Sequence, residues 1–332
     1  MHFDYSVLSQ PVTYKEIIKA FKKQPTLYKF AVGTVALINV GILVIFLTIF
    51  LSFSWKMTDG SNQINGLFIW AIAFIAITLG LPLTFITSLS KEIRFRRFAL
   101  ANNIEFYAGS MQDSRNGLVF QKGDTKRFDM LFTPTKGNIK EFGNYSYSIE
   151  NGKNSHTRTY GFIHIKLPRK LPNMVLDSHT NNLFGESGLP ENFSKSQVVQ
   201  LEGDFNKYFT LYAPEEYKRD ALYIFTPDVM QAMVDASNHY DGEIVDDDFY
   251  LYTSQLTISD IKTVEELLTI AESIAKQLDE QAGRYSDERV GRSGQNMIAA
   301  PGVRLRRSVA VQAVVVLALV TAAYAIITIM YN

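Results

Sequence analysis

The sequence predicts a membrane protein in which three transmembrane α-helices carry one cytoplasmic α+β domain with an antiparallel sheet. Apolar residues make up 47% of the 332 residues and are concentrated in three blocks. Lysine or arginine flanks each block on the same side. A long polar region with alternating strand patterns lies between the second block and the third. These three observations together predict the architecture.

Composition excludes several classes of function. Lysine plus arginine equals aspartate plus glutamate, at 33 each, so the chain has no overall basic field that would attract nucleic acid. The sequence contains no cysteine, which rules out disulfide frameworks, thiolate catalysis and cysteine-ligated zinc. We therefore expect no nucleic-acid partner and no cofactor.

Residues 1–29 are predicted to form an amphipathic cytoplasmic segment. Tyr14, Ile17, Ile18 and Phe21 recur at helical spacing, and four lysines lie toward the other side of the same helix. Such a helix either rests in the headgroup region of an anionic membrane or packs on the cytoplasmic domain.

Residues 30–90 are predicted to form a transmembrane hairpin, and residues 308–332 a third span. The runs 30–53 and 67–89 contain no charged residue, and each exceeds the roughly 20 residues that cross a hydrocarbon core. The three spans lack Asp, Glu, Lys, Arg and His, which argues against a pump or a coupled transporter.

The basic flanks predict the orientation. They precede the first span, follow the second and precede the third, whereas the loop between the first two spans has only Lys56. The N-terminus and the main domain are therefore expected on the cytoplasmic side of a bacterial inner membrane, with the C-terminus outside. These residues either contact anionic lipid headgroups or only fix the topology. Those beside the second and third spans are Lys91, Arg94, Arg96, Arg97, Arg304, Arg306 and Arg307.

Residues 91–283 are predicted to form the α+β domain, either as one body or as two subdomains divided near 180–197. The clearest hairpin pairs NYSYSIE with RTYGFIHIKL around the turn NGKNS. Shorter strands are predicted at GLVF, FDMLF, VVQLEG and KYFTLYA.

The end of this region mixes helices with one more hairpin. A helix is predicted after Thr226, and a second amphipathic helix from Thr263 to Gly283. Between them, GEIVDDDFYLYT is predicted as a hairpin with its aspartates in the turn. A basic linker then covers residues 284–307.

One long block carries a resemblance. LEGDFNKYFTLYAPEEYKRDALYIFTPDVMQAMV, preceded by RFALANNIEFY, NYSYSIE and HIKLPRKLPNMVLDSHTNN, resembles a family of bacterial membrane-associated proteins, the DUF3137 domain of unknown function. The resemblance extends from about Arg97 to Tyr252. It implies a cytoplasmic or membrane-associated α+β domain, and it implies no catalytic residue and no cofactor.

A cluster of carboxylates is the best candidate for a weak metal site. Glu243, Asp246, Asp247 and Asp248 offer the oxygen ligands that calcium or magnesium prefers. Consecutive strand residues point to opposite faces, so the four converge only if they lie in a turn. A solvated hairpin turn is the alternative and favoured interpretation.

The histidines give little support to catalysis. The five histidines show no metal-ligand spacing, and His164 is interpreted as a residue on a strand face. His179, close to Asp177 and Ser178, is the weak remaining candidate for acid–base chemistry. The sequence also lacks the nucleophile elbow, the phosphate-binding loop, the dinucleotide fingerprint and the zinc-protease motif.

The sequence therefore favours a non-catalytic scaffold or regulatory module. Its cytoplasmic domain is expected to bind a protein partner or the lipid surface, and a homo-oligomer is a further expected form of association. Two alternatives stay open. A membrane-tethered hydrolase or transferase would need an enclosed pocket with converging His, Asp or Glu side chains. An accessory subunit of a larger transporter would need a permease partner.

Overall fold

The protein forms two compact units. One covers His2–Asn102 and is called the N-terminal unit, and the other begins at Asn103 and is called the C-terminal unit. The computed structural model describes residues 3–23, 26–56, 86–109, 115–151, 154–180, 182, 187–236, 240–253, 261–291 and 296–308.

The N-terminal unit is helical. It contains α1 over Tyr14–Lys23, α2 over Thr26–Lys56 and α3, which is helical over residues 86–101. A capping box starts α1: the Thr13 N–H and hydroxyl donate to the Glu16 carboxylate at 2.9 and 2.7 Å, and the Glu16 N–H donates to the Thr13 carbonyl at 3.1 Å. The pair satisfies backbone donors that would otherwise be free at the helix start.

An arginine of α3 holds α1 in place. The Arg97 guanidinium pairs with the Glu16 carboxylate and also donates to the carbonyl oxygens of Gln10 and Pro11, both at 3.4 Å. The capping carboxylate of α1 therefore serves a second purpose, because it ties α1 to α3.

The predicted membrane architecture is corrected by the structure. Within the ranges given above, no helix is both long and apolar enough to cross a membrane. The predicted first span at 30–53 lies in α2. Most of 67–89 and nearly all of 308–332 lie outside the described residues. The prediction of three transmembrane helices in a multi-pass protein of the bacterial inner membrane is therefore wrong for the described chain.

The C-terminal unit is an α+β fold with a seven-stranded antiparallel sheet. The strand order is β1-β2-β3-β4-β6-β5, and β7 also pairs with β4. The strands are β1 Ile104–Gly109, β2 Thr125–Pro134, β3 Ile139–Asn151, β4 Asn154–Ser178, β5 Val198–Val199, β6 Phe209–Tyr212 and β7 Tyr240–Thr253. The helices are α4 Lys218–Ile224, α5 Pro227–Ala236 and α6 Ile261–Arg284.

The long strand β4 is the centre of the sheet. One of its edges pairs first with β3 and then with β6, and its other edge pairs with β7. The predicted β3–β4 hairpin is confirmed, with Asn151 opposite Asn154. The predicted hairpin within 242–253 is wrong, because this segment belongs to the single strand β7. A residue with a φ of 55°, Asp246, lies where the register of β7 on β4 shifts.

One face of the sheet is aromatic. Phe120 lies at the centre of this face, with its ring centroid 4.8 Å from that of Tyr145, 5.0 Å from that of Phe162 and 5.5 Å from that of Tyr250. Phe120 belongs to a short 3₁₀ helix, Leu118–Gln121, at a position where the sequence predicted a strand. We call this side of the sheet the aromatic face.

The opposite face is covered by α6. The predicted amphipathic helix is confirmed with bounds of Ile261–Arg284, and its apolar stripe, which includes Leu267, Ala271 and Ile274, is buried. Ile274 borders a small apolar gap together with Leu251 of β7. The helix period predicted from the sequence therefore matches the face that packs on the sheet.

The segment after α6, where the sequence predicted a linker over 284–307, folds back onto the C-terminal unit. The buried Asp287 carboxylate accepts hydrogen bonds from the Tyr217 hydroxyl at 2.6 Å and from the Ala299 N–H at 2.8 Å. Further along, the Gln197 side chain accepts from the Arg306 N–H and donates to the Arg306 carbonyl, both at 2.7 Å. The segment is thus anchored at two separate points.

Candidate functional site

Three strands bring charged side chains together on the aromatic face. His164 on β4 lies opposite Glu141 on β3 and opposite Tyr250 on β7. Its Nε2 is 2.8 Å from Asp248 Oδ1, and its Nδ1 is 3.4 Å from Glu141 Oε1. The Tyr250 ring stacks on the imidazole, with 4.5 Å between the centroids. A single imidazole therefore joins carboxylates from two different strands.

Two cations complete this group. Lys166 Nζ is 2.8 Å from Asp248 Oδ1, and the Arg115 guanidinium pairs with the Glu141 carboxylate. Asn116 Nδ2 donates to Asp248 Oδ2 at 3.0 Å. With a protonated imidazole, three positive charges surround two negative ones. We call the five residues the His164 cluster: Arg115, Glu141, His164, Lys166 and Asp248.

The pKa shifts within the cluster agree with one another. Burial would lower the pKa of His164, but hydrogen bonds to Asp248 and Glu141 raise it above its ordinary value. Burial would raise the pKa of Asp248, but hydrogen bonds from His164 and Lys166 lower it to about 2. The pKa of Glu141 is also lowered, because Arg115 and His164 outweigh its burial. The favoured state is an imidazolium between two carboxylates.

This charge state determines what the cluster does. An imidazolium donates from both nitrogens and cannot accept a proton from a substrate, so His164 is not arranged as a general base. Arg115 and Asn116 precede the 3₁₀ helix that covers the aromatic face. The cluster therefore fastens this cover to the three strands beneath it.

A second ionisable group is fully enclosed by the aromatic face. Glu243 Oε2 accepts a hydrogen bond from the Leu118 N–H at 2.6 Å and another from the Tyr252 hydroxyl at 2.8 Å. Burial raises the pKa of Glu243 to about 7, although both donors oppose the shift. Glu243 therefore changes its protonation near neutral pH inside the fold.

The four predicted metal ligands do not converge. Glu243 is enclosed by the aromatic face, Asp248 belongs to the His164 cluster, and Asp246 and Asp247 pair with lysines of β4 at 3.3 and 2.9 Å. Among the residues that the structure describes, no three His, Asp or Glu side chains are arranged to hold a metal ion. The three aspartates are instead paired with lysines of β4, Asp246 with Lys170 and both Asp247 and Asp248 with Lys166.

The predicted candidate His179 is bound by other groups. Its Nε2 is 2.8 Å from Thr210 Oγ1, and its Nδ1 is 3.1 Å from the Lys207 carbonyl oxygen. The nearby Asp177 accepts a hydrogen bond from the Ser187 hydroxyl at 2.8 Å, and burial raises the pKa of Asp177. His179 and Asp177 thus do not form a hydrogen-bonded acid–base pair.

The predicted basic residues of α3 have different surroundings. Arg97 contacts α1 as described above, and Arg96 pairs with Glu92 one turn earlier at 2.8 Å. Lys91 is exposed and Arg94 is half-buried. Lipid contact by these residues stays a prediction.

The basic residues after α6 mostly contact the C-terminal unit itself. Arg307 Nε is 3.0 Å from Glu191 Oε2, and Arg306 Nη1 is 3.6 Å from Glu215 Oε1. Arg304 donates to the adjacent Val303 carbonyl at 2.8 Å. The contacts of Arg306 and Arg307 hold the end of the described chain on its own domain. Lipid contact by these basic residues also stays a prediction.

An open cleft of about 550 Å³ lies between α4 and the end of α6. At its base, Arg289 pairs with Asp220 at 2.8 Å, and the Tyr285 hydroxyl donates to Asp220 at 2.9 Å. We call it the α4–α6 cleft. Its arginine and tyrosine side chains are Arg219, Tyr223, Arg284, Tyr285 and Arg289.

The His164 cluster and the α4–α6 cleft were not predicted from the sequence. The hairpin register contained a signal for part of the cluster: once Asn151 pairs with Asn154, antiparallel counting places Glu141 opposite His164. Asp248 and Arg115 reach the same place only through tertiary folding. The chain matches no family model, no curated protein and no solved structure. The resemblance to the DUF3137 family therefore stays a prediction.

Proposed function

We propose that this protein is a non-catalytic scaffold or regulatory module whose C-terminal unit binds a protein partner in the α4–α6 cleft. The composition of the cleft carries the proposal, because exposed tyrosine and arginine side chains lie above a base of fixed ion pairs. Tyrosine and arginine are enriched at protein interfaces and dominate the residues that contribute most to binding.

The base of the cleft is held rigidly. The Arg289 guanidinium lies 4.1 Å from the Tyr217 ring centroid, pairs with Asp220 and contacts Asp287 Oδ1 at 3.2 Å. A guanidinium held by two carboxylates and a ring loses little further freedom when a partner arrives. Preorganisation of this kind lowers the entropic cost of binding.

The rim of the cleft offers contact area. Tyr223 is 61% exposed, and its neighbour Leu222 is 49% exposed. The Arg219 guanidinium donates to the Tyr223 hydroxyl at 3.2 Å and keeps this ring at the rim. An exposed tyrosine oriented by an arginine resembles the anchor residues of an interface more than a solvated surface.

The alternative functions receive less support from the described residues. A hydrolase or transferase needs a free base beside a nucleophile, whereas His164 is held as an imidazolium and His179 is bound to Thr210. No observation favours an accessory transporter subunit.

Site-specific photo-crosslinking tests the proposal. A benzophenone amino acid at position 223 of the full chain is expected to give a discrete crosslinked product in cells. The same amino acid at the exposed position Glu202 is the matched control and should not give it. Arg219→Glu added to the position-223 variant should remove the product, while circular dichroism shows an unchanged fold. Equal crosslinking from both positions, or a product insensitive to Arg219→Glu, contradicts the proposal. The mass of the product distinguishes a second copy of this chain from another protein.

A further inference from the structure

The described surface of α1 carries apolar side chains that the N-terminal unit does not cover. Tyr14 is 76% exposed and Ile18 is 37% exposed, whereas Ile17 and Phe21 are half-buried. Successive residues of an α-helix are rotated by about 100°, which places Tyr14 and Ile18 about 40° apart on one side. The apolar stripe of α1 is therefore divided into a covered edge and an exposed edge.

Lysines lie beside the exposed edge. Lys22 and Lys15 are rotated by roughly 40° and 60° from Ile18, so they border it directly. Lys19 and Lys23 lie further round the helix, roughly 100° and 140° from Ile18. All four lysines are exposed. The outer surface of α1 thus combines an apolar edge with two bordering lysines, and two more positive charges follow further round the helix.

The one acidic residue of α1 is paired with an arginine of α3. Glu16 is rotated by roughly 160° from Ile18, where it caps the helix through Thr13 and pairs with Arg97. Glu16 lies on the side of Lys19 and Lys23, but its carboxylate is already engaged by Thr13 and Arg97, so Arg97 compensates its negative charge. The same ion pair fixes the rotation of α1 about its own axis, so the outer surface has a defined direction.

We propose that α1 docks on an anionic phospholipid surface, with Tyr14 and Ile18 entering the headgroup region and the neighbouring lysines contacting the lipid phosphates. The positive charge of the helix favours an anionic surface. A nucleic acid would contact only the lysines, whereas a lipid surface also buries the exposed apolar edge. In this proposal α1 lies on the surface and crosses nothing. Lipid binding by α1 does not depend on partner binding in the α4–α6 cleft.

Labelling at single cysteines tests the orientation, and the natural chain contains no competing cysteine. An environment-sensitive fluorophore is attached to the full-length Ile18→Cys variant and, as the control, to Ala20→Cys, which lies roughly 160° away on the helix. Vesicles of phosphatidylcholine with and without phosphatidylglycerol are then added. We expect the fluorescence emission of the label at position 18 to shift to shorter wavelength only when phosphatidylglycerol is present. The shift at position 20 should be much smaller. Equal shifts at both positions, or no dependence on phosphatidylglycerol, would overturn the proposal.

Charge variants test the recognition. A lysine near an anionic membrane strengthens binding about five-fold, so Lys15→Gln, Lys19→Gln and Lys22→Gln together should weaken binding to phosphatidylglycerol vesicles about 100-fold. The matched control is Lys195→Gln, Lys262→Gln and Lys276→Gln, three exposed lysines of the C-terminal unit whose loss gives the same net charge. Vesicle sedimentation compares the two at several salt concentrations. Equal losses for the two variants would show general charge attraction and refute a role for α1.

Discussion

The Nε2 atom of His164 lies 2.8 Å from Asp248 Oδ1, while Nδ1 of the same ring faces the Glu141 carboxylate at 3.4 Å. The central strand β4 is thereby joined to β3 and β7 by one charged ring as well as by backbone hydrogen bonds. The ring balances both carboxylates only while it is protonated. The charge of His164 is therefore part of the stability of the fold.

Removing this charge should destabilise the C-terminal unit in a pH-dependent way. We expect His164→Gln to lower the free energy of unfolding by about 2 to 3 kcal/mol near pH 6, because two largely buried carboxylates lose their shared cation. The pKa of His164 is raised, so this stabilisation is complete below the ordinary value of about 6.5 and is lost as the pH rises through the raised value. Urea unfolding at a series of pH values should show the two proteins converging at alkaline pH. The exposed His156→Gln control should change stability by less than about 0.5 kcal/mol, and a difference that stays constant from pH 5 to 10 would contradict this account.

The enclosed carboxyl group of Glu243 predicts a different pH dependence. Its pKa is raised by burial from 4.5 to about 7, so the folded chain retains a proton that the unfolded chain has already released. The contribution of Glu243 to stability therefore falls as the pH rises from about 4.5 to about 7. Glu243→Gln keeps an acceptor oxygen for the Leu118 N–H and the Tyr252 hydroxyl but does not titrate. As the pH rises from 4 to 8, the free energy of unfolding of the variant should increase relative to that of the natural protein by on the order of 3 kcal/mol. The exposed Glu202→Gln control should show the same pH dependence of the free energy of unfolding as the natural protein. The same result for Glu243→Gln would exclude a raised pKa of Glu243 in the folded chain.

Local pattern was sufficient for part of this fold. The β3–β4 hairpin and the apolar stripe of α6 were both predicted and are confirmed. In each segment the spacing of apolar residues is set by the one layer on which that segment packs, so the spacing can be recognised in a short stretch of sequence. The same reasoning failed for β7. Three aspartates in a row suggested a turn, but a lysine of β4 pairs with each of them, so the chain continues as a strand with a positive φ at Asp246. Ion pairs between β7 and β4 thus favour a continuous strand where the three aspartates alone indicated a turn.

The membrane prediction failed for a different reason. It treated the apolar content of a segment as decisive, whereas the described part of the chain contains no helix that could span a bilayer. The candidate sites were also beyond local pattern. Arg115 and Asp248 are far apart in the sequence and meet through tertiary folding at the His164 cluster. Register could place Glu141 beside His164, but nothing in a short window could add the other members.

The buried Asp287 should hold the segment that follows α6 in place. Its side chain is fully buried, and it accepts from the Tyr217 hydroxyl, the Ala299 N–H and the Arg289 N–H. We expect Asp287→Ala to leave these donors unpaired and to speed hydrogen exchange of the Ala299 amide by about 100-fold, which corresponds to about 3 kcal/mol. The control is Asp204→Ala, an exposed aspartate whose ion pair with a lysine contributes little. Exchange at Ala299 that stays unchanged would show that the segment is held by other contacts.

The end of the described chain should detach when a single glutamine is removed. The Gln197 side chain makes two hydrogen bonds of 2.7 Å to the backbone of Arg306, as a neighbouring strand would. Next to this point Leu305 is buried, and its N–H donates to Asn173 Oδ1 at 3.0 Å. Loss of the two glutamine bonds should cost about 2 kcal/mol locally, which raises the population of the detached tail about 30-fold.

Trypsin measures this detachment, because it cleaves after arginine only when the backbone is free to enter its active site. Gln197→Ala should therefore be cut after Arg306 about 30-fold faster than the natural chain under native conditions. Gln200→Ala is the matched control, since Gln200 is exposed and lies three residues away on the same segment. Faster cleavage in the Gln200 variant as well would indicate general loosening of the domain. Unchanged cleavage in the Gln197 variant would mean that the buried Leu305 and its bond to Asn173 hold the tail without the glutamine.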